Sequence, residues 1–304
     1  MELQPLRYAC AVYRERHFLR AAERVHISQP TLSQQIKKLE RELGAALFER
    51  SPHGVSLTPE GERFLPRAEA VLQALEEAVS ELRRGAKEIA GRIRLAAIPT
   101  VGPYLLPRVA KRLRTAAPRL QVELHDLTTS LLLEHLKQGR IDMGILALPV
   151  DDPGLVSRSF GRERFLLAVS RRHPLAGRRS VSRKDVRHER MLILQEGHCF
   201  RNQTLSYCKL SDQDPQIIFQ GSNLTSVMRL AAAGEGVTLV PEMAAEPGQH
   251  PSLRFLRFAP PEPRREIGVV WRVTTPLNRG HQLLMDLAEE VFRSVREEGP
   301  GGDA

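Results

Sequence analysis

With 304 residues and a 41% apolar fraction, the chain is long enough for two or three domains, each burying its own core. It has no apolar run near the roughly 18 residues of a membrane span and no positive or apolar leader in Met1-Glu2-Leu3-Gln4-Pro5. The expectation is a cytoplasmic protein with no membrane partner, in which three cysteines are not a disulfide framework and any disulfide is transient and redox-active. A net charge of +9 suits a polyanion, although residues 1–57 hold only nine Lys or Arg against six Asp or Glu; the larger surplus lies downstream, in stretches such as Arg178-Arg179 and Arg264-Arg265.

Leu6, Ala9, Cys10 and Tyr13 share one face at helical spacing and predict a first helix; Phe18–Glu23 predicts a short second one. Ser28 is a good N-cap and Pro30 is tolerated in a first turn, so a third helix opens there. Leu32, Ile36, Leu39 and Leu43 carry its apolar rhythm until Gly44 ends it. Phe48–Leu57 reads as two short strands around a Pro/Gly turn, a wing. Thr58 then caps a long helix that starts at Pro59 and runs to about Lys87, roughly 45 Å at 1.5 Å per residue. Along it Phe64, Ala68, Val71, Leu75, Ala78 and Leu82 form a heptad seam, widened by Leu65, Leu72 and Val79, which predicts packing against a second copy. Pro66 removes one helical hydrogen bond and predicts a bend near Glu62.

After Gly91, strands alternate with helices, implying a mainly parallel sheet. Arg92–Ile98, Leu120–Leu127 and Ile141–Leu148 read as strands, Tyr104–Ala116 and Thr129–Gln138 as helices. A second α/β unit starts near Arg164 and takes in Met191–Leu194, Gln216–Gln220 and the helix Leu224–Ala233. Ile267–Trp271 is one more strand, Leu277–Arg296 a closing amphipathic helix, and residues 299–304 a disordered tail.

The inward set of the third helix turns Gln29, Thr31, Ser33, Gln34, Lys37 and Lys38 outward, beside Pro30. Gln pairs with adenine, Ser and Thr reach bases or phosphates, and Lys anchors the backbone, the chemistry of a recognition helix in the major groove. Cys199 and Cys208 have eight residues between them. Nine helical steps separate two positions by roughly 13 Å and turn them to opposite faces, and nine extended steps by about 30 Å. A disulfide needs Cα atoms within about 7 Å, so joining these two requires the segment to refold. His198, Arg201 and a helix opened by Gly197 would all favour the Cys199 thiolate. Cys10, on an apolar helical face, reads as core.

The runs Phe18-Leu19-Arg20-Ala21-Ala22-Glu23, Ser28-Gln29-Pro30-Thr31-Leu32-Ser33-Gln34-Gln35-Ile36-Lys37-Lys38-Leu39-Glu40, Leu47-Phe48-Glu49-Arg50 and Leu57-Thr58-Pro59-Glu60-Gly61 resemble the head of a LysR-type transcriptional regulator. That resemblance covers nearly the whole chain. It implies an α/β multidomain protein: a winged helix-turn-helix (1–58), a dimerising linker helix (59–90) and a two-lobed, periplasmic-binding-protein-like α/β regulatory domain. Lobe I would be residues 91–163 with 267–298, and lobe II residues 164–266. It also implies a homodimer or homotetramer on an interrupted palindrome of double-stranded DNA, with RNA polymerase as a further partner. Glu196-Gly197-His198-Cys199-Phe200-Arg201-Asn202-Gln203, followed by Cys208, resembles the OxyR branch, the peroxide-sensing activators. By that resemblance Cys199 is the peroxidatic thiolate, tuned by His198 and Arg201, and Cys208 the resolving partner. A glutaredoxin or thioredoxin-type reductant would reset the pair. Thr100 and Thr129, each ending a strand before a helix, would position hydrogen peroxide with His198. His125 and Arg265, with Arg264 as the neighbouring alternative, would organise the pocket. Asn202 departs from the pattern, since many relatives carry an acid there.

Two other readings compete. One keeps the regulator but makes its effector a small anionic metabolite held between the lobes, with the cysteines incidental. The other is a thiol peroxidase fused to a DNA anchor, for which the sequence has no peroxidase motif. No cofactor is expected, and no metal, because Cys199 and His198 are adjacent and no zinc-like spacing surrounds them.

Overall fold

A computed structural model describes residues 2–51, 54–84, 89–208, 216–246 and 248–298. The expected tail at 299–304, the wing tip at Pro52 and the end of the long helix at Lys87 lie outside them. Contacts divide the chain into two units, one holding residues 1–88 and the other nearly all of the rest.

The first unit contains α1 (Leu3–Glu15), α2 (Phe18–Arg24), α3 (Gln29–Leu43), the hairpin β1 (Phe48–Ser51) and β2 (Gly54–Leu57), and α4 (Pro59–Arg84). The Ser28 hydroxyl accepts the Thr31 amide at 3.3 Å to open α3, and Gly44, at φ +69°, closes it in a left-handed conformation that a side chain would resist. Leu6, Cys10, Val12, Phe18, Leu32, Ile36, Leu39 and Leu47 form the core. The start of α4 is clamped to the segment that leads from α3 into β1. The Thr58 hydroxyl accepts the Gly61 amide at 2.9 Å and donates to the Ala46 carbonyl at 2.6 Å. A Cβ on Gly61 would stand 2.1 Å from the Leu47 carbonyl oxygen, so only glycine fits that turn.

The single heptad seam expected on α4 is split. Leu65, Ala68 and Leu72 are buried in the core of this unit, with Phe64 packed against it, whereas Val71 and Val79 are 57% and 39% exposed. The first turns of the helix serve their own head, because a three-helix unit of this size needs a fourth apolar face to close its core. Pro66 lies inside a helix assigned without interruption on either side.

The second unit runs β3 (Ala90–Ala97), α5 (Gly102–Ala116), β4 (Arg119–Asp126), α6 (Thr129–Lys137), β5 (Met143–Leu148), β6 (Leu155–Ser170), β7 (Ser180–Val181), α7 (Arg183–Val186), β8 (Met191–Leu194), α8 (Cys199–Cys208), β9 (Ile217–Gly221), α9 (Leu224–Ala233), β10 (Thr238–Pro241), β11 (Leu253–Phe258), β12 (Arg264–Arg272) and α10 (Arg279–Glu298). It has two apolar cores. One gathers Ile93, Leu95, Leu105, Met143, Ile145, Val269 and Phe292 (lobe I), the other Phe165, Leu167, Leu192, Phe200, Val227, Leu239 and Leu256 (lobe II). None of the helices described is long and apolar enough to cross a membrane.

The expectation of a mainly parallel sheet is corrected. β3 pairs in parallel with β4 and β5, and β8 with β9, but β12 is antiparallel to both β5 and β6, and β10 and β11 are antiparallel to β6. The cause is β6, 16 residues long, whose first part pairs with β12 in lobe I and whose last part pairs with β10 and β11 in lobe II. One strand therefore belongs to both cores, and the lobes meet within continuous sheet rather than across a linker.

Candidate functional site

The turn Glu196-Gly197-His198 joins β8 to α8 at the meeting of the lobes. Gly197 has φ +90°, and a Cβ there would touch the Ser130 hydroxyl at 3.4 Å and Thr128 at 3.8 Å, so the turn lies directly on the start of α6. Cys199 is the first residue of α8, half-buried against the core of lobe I, while Phe200 next to it is buried in lobe II. The Cys199 amide donates to the Thr129 hydroxyl across the lobes at 3.3 Å. Cys199 thus stands at a helix N-terminus, where free amides leave a partial positive charge.

His198 is 5% exposed and its Nε2 is buried with no hydrogen-bond partner among the described residues. Burial pulls its imidazole below the ordinary value; a hydrogen bond to the Ser222 backbone and the nearby Asp126 carboxylate oppose this more weakly. Burial therefore favours the neutral ring.

Beneath α8 lies a buried ion pair. Arg265 donates through Nε to Glu163 Oε1 at 2.7 Å, and both side chains are fully buried. Its other nitrogens donate to the Thr100 hydroxyl at 2.7 Å and the Thr100 carbonyl at 3.1 Å. The guanidinium also lies 5.4 Å from the centre of the Phe200 ring and 5.9 Å from that of Phe165. Such a pair adds little net stability, yet removing either partner strands a buried charge at a cost of about 3–5 kcal/mol. Its role is to fix position.

The sequence places Thr100 and Thr129 each at a strand end before a helix, where a hydroxyl commonly caps the helix that follows. In the structure Thr100 stands in the turn between β3 and α5 and Thr129 is the first residue of α6; α5 has no side-chain cap, and the Thr129 hydroxyl serves α8 of the other lobe. Arg201, 3% exposed, turns its guanidinium to the Leu194 carbonyl at 3.1 Å and Gln220 at 3.0 Å, anchoring α8 on β8 and β9. His125 is exposed on the edge strand β4, with Ala96 as its register partner, and Arg264 is exposed on the Glu262 carboxylate at 2.9 Å. Asn202 is exposed on the first turn of α8. Cys208 ends the same helix, 2% exposed in the core of lobe II. Burial pushes its thiol up to about 12, against a weaker pull from Arg183. Nine helical steps place the two sulfur-bearing residues roughly 13 Å apart along the axis.

In the first unit, Gln29, Pro30, Thr31, Gln34, Lys37 and Lys38 are exposed on α3 and Ser33 is half-buried. Lys38 lies 3.9 Å from Glu2, and the Thr31 hydroxyl is 2.7 Å from that of Ser28.

Residues 3–62 match the bacterial regulatory helix-turn-helix protein, lysR family, and residues 86–293 match the LysR substrate binding domain. The chain belongs to the LysR family of transcriptional regulators. LysR-family members are DNA-binding regulators rather than enzymes. This LysR-family chain is 36% identical over 287 residues, 94% of either sequence, to the DNA-binding transcriptional dual regulator OxyR of Escherichia coli K12. It is 36% identical to a probable hydrogen peroxide-inducible genes activator of Streptomyces viridosporus, over 96% of this chain and 95% of that one. Among solved structures it resembles a full-length OxyR cysteine-to-aspartate variant from Pseudomonas aeruginosa, with 33% identity, TM-score 0.81, and 95% of this chain and 98% of that one covered. It also resembles a hydrogen-peroxide-bound cysteine variant of Corynebacterium glutamicum OxyR, at 32% identity, TM-score 0.65, and 97% and 95% coverage.

Sequence reasoning missed the groups that hold the site in place: Glu163 under Arg265, Ser222 and Asp126 beside His198, and Gln220 under Arg201. Glu163 stands in Arg162-Glu163-Arg164, an alternation of charges that reads as solvated surface. The available signal was its flanks, Phe160 and Phe165, both buried.

Proposed function

We propose that this regulator senses hydrogen peroxide through Cys199 and changes its DNA contacts when Cys199 and Cys208 join, activating antioxidant genes. The observation that carries the reading is that the two cysteines are the first and last residues of one helix, the first half-buried where the lobes meet and the second sealed in a core. The Cys199 thiolate attacks one peroxide oxygen, the O–O bond breaks, and the departing hydroxide takes up a proton and leaves as water. The resulting sulfenic acid is then attacked by the Cys208 sulfur, its hydroxyl leaves as a second water, and the S–S bond forms; the two thiols supply the two electrons. Thr129, Thr100 and the free Nε2 of His198 supply polar contacts for peroxide, with Arg265 fixing Thr100. Arg201 holds the start of α8, and His125 stands apart from these residues.

Because α8 keeps the sulfurs separated, coupling requires it to unwind, and the change passes to the lobes and so to the promoter. The regulator would act as a homodimer or homotetramer in the cytoplasm on an interrupted palindrome, recruit RNA polymerase, and be reset by glutaredoxin or thioredoxin. The chemistry between the lobes does not favour a small anionic metabolite as effector, since Arg265 there is already neutralised by Glu163.

Mass spectrometry of protein treated with one equivalent of peroxide tests the proposal. A peptide cross-linked between Cys199 and Cys208 is expected, absent from Cys199→Ser, which should also lose peroxide-dependent DNA binding changes. A Cys199→Ser protein that responds as wild type would end it.

A further inference from the structure

Residues 171–190 lie in lobe II and carry seven Arg and one Lys against two carboxylates, Asp185 and Glu189. Only Leu175, Val181 and Val186 of this segment are buried, each entering the lobe II core, so the charged side chains are turned outward. The segment is one compact surface. Its β7 strand is paired with β11, with Ser180 opposite Arg257. His173 contacts Glu189 at 3.3 Å and Arg178 contacts Asp185 at 2.5 Å, tying its beginning to its end. Asp185 is further held in a capping box with Ser182 that starts α7.

Both carboxylates are therefore engaged, and Arg171, Arg172, Arg179, Arg183, Lys184 and Arg187 are exposed with no ion pair among the described residues. On lobe I several arginines are instead answered by carboxylates of α10. There Arg108 meets Glu298 at 2.6 Å, Arg112 meets Glu290 at 2.9 Å, and Arg158 meets Asp286 at 2.9 Å and Glu289 at 2.6 Å. Six unanswered cations within 17 residues repel one another and favour a polyanion that spreads over them. Guanidinium groups predominate, and their forked donors suit phosphate oxygens.

We infer that this face of lobe II is a second phosphate-binding surface for double-stranded DNA, separate from α3, the expected recognition helix. It reads no sequence; it adds backbone contacts and with them affinity. The inference needs DNA binding by the family but not the peroxide chemistry, so it stands or falls separately from that proposal.

The test is a full-length variant combining Arg171→Gln, Arg172→Gln, Arg179→Gln and Arg187→Gln, compared with a second in which the same four become Lys. Binding to a random-sequence duplex of about 80 base pairs is measured between roughly 50 and 200 mM salt. Each phosphate contact contributes about 0.9 to the slope of log affinity against log salt. The Gln variant should lose about two to three units of slope and bind at least about tenfold more weakly near 100 mM salt, while the Lys variant keeps most of both. Equal slopes and affinities for wild type and the Gln variant would overturn the assignment. Unchanged DNA binding combined with weakened transcription in a purified system would overturn it too, and would give the face to an acidic protein partner.

Discussion

Thr129 belongs to lobe I, yet its hydroxyl accepts the first amide of α8 in lobe II. Thr129→Val keeps the shape and leaves that amide without an acceptor, a loss of about 1 kcal/mol. Trapping of the Cys199 sulfenic acid should slow by about fivefold, with Thr129→Ser restoring it; equal rates for Val and wild type would remove Thr129 from the site. His198 makes a pH prediction. Its folded pKa is depressed below the ordinary 6.5, so the unfolded chain binds the proton more readily. Its contribution is fully present above about pH 6.5 and declines as pH falls from there through the folded pKa. In denaturant titrations His198→Gln should flatten this part of the stability profile; an unaltered acid slope would count against a buried neutral ring. At this scale the residues with distinctive neighbours were legible: Cys199 beside His198, and Gln34 with Lys37 on a polar face. Their supports were not, because Glu163, Ser222 and Gln220 arrive from distant strands and turns through tertiary packing.

The element on which the proposed switch turns is α8, and its stability in the reduced form can be adjusted from its solvent side. Asn202 and Ser206 are exposed within it, and each is a poorer helix former than alanine by about 0.5 kcal/mol. Asn202→Ala with Ser206→Ala should therefore slow disulfide formation after peroxide by about fivefold, at an unchanged rate of sulfenic acid formation. Quenched-flow alkylation separates the two steps, and a joint slowing of both would mean that α8 need not unwind for the second. Helices were the most legible elements: Ser28, Gly44 and Thr58 mark their ends in the sequence, as capping chemistry requires. The strands β6 and β11 were not expected. The unbroken charges Arg162-Glu163-Arg164 carry no apolar alternation and read as solvated loop, and Leu253–Phe258 mixes apolar and charged residues over only six positions, without strict alternation. Pairing with β12 imposes strand on the first and pairing with β6 and β7 on the second. Missing β6 is also what made the sheet look mainly parallel.

At the scale of the whole molecule, α4 leaves Val71 and Val79 in water after Leu65 and Leu72 have entered the head. We propose that this exposed apolar face, on a long helix of a regulator expected to self-associate, is a dimer contact. Val71→Glu should shift sedimentation toward monomer by about tenfold in dissociation constant, a cost of about 1.4 kcal/mol, with the melting temperature of the head unchanged. An unshifted sedimentation profile would place the contact elsewhere. In the proposed cycle, α8 also sets how long the oxidised state lasts. Every kilocalorie needed to dissolve its ten residues is taken from the bond that replaces it. About 1.4 kcal/mol corresponds to roughly 30 mV in a two-electron couple. A crosslink formed against such a spring is more oxidising than an unopposed one, and so more readily reduced by thiols. On that proposal the signal carries its own expiry: once peroxide is gone, rewinding of the helix favours return to the reduced form.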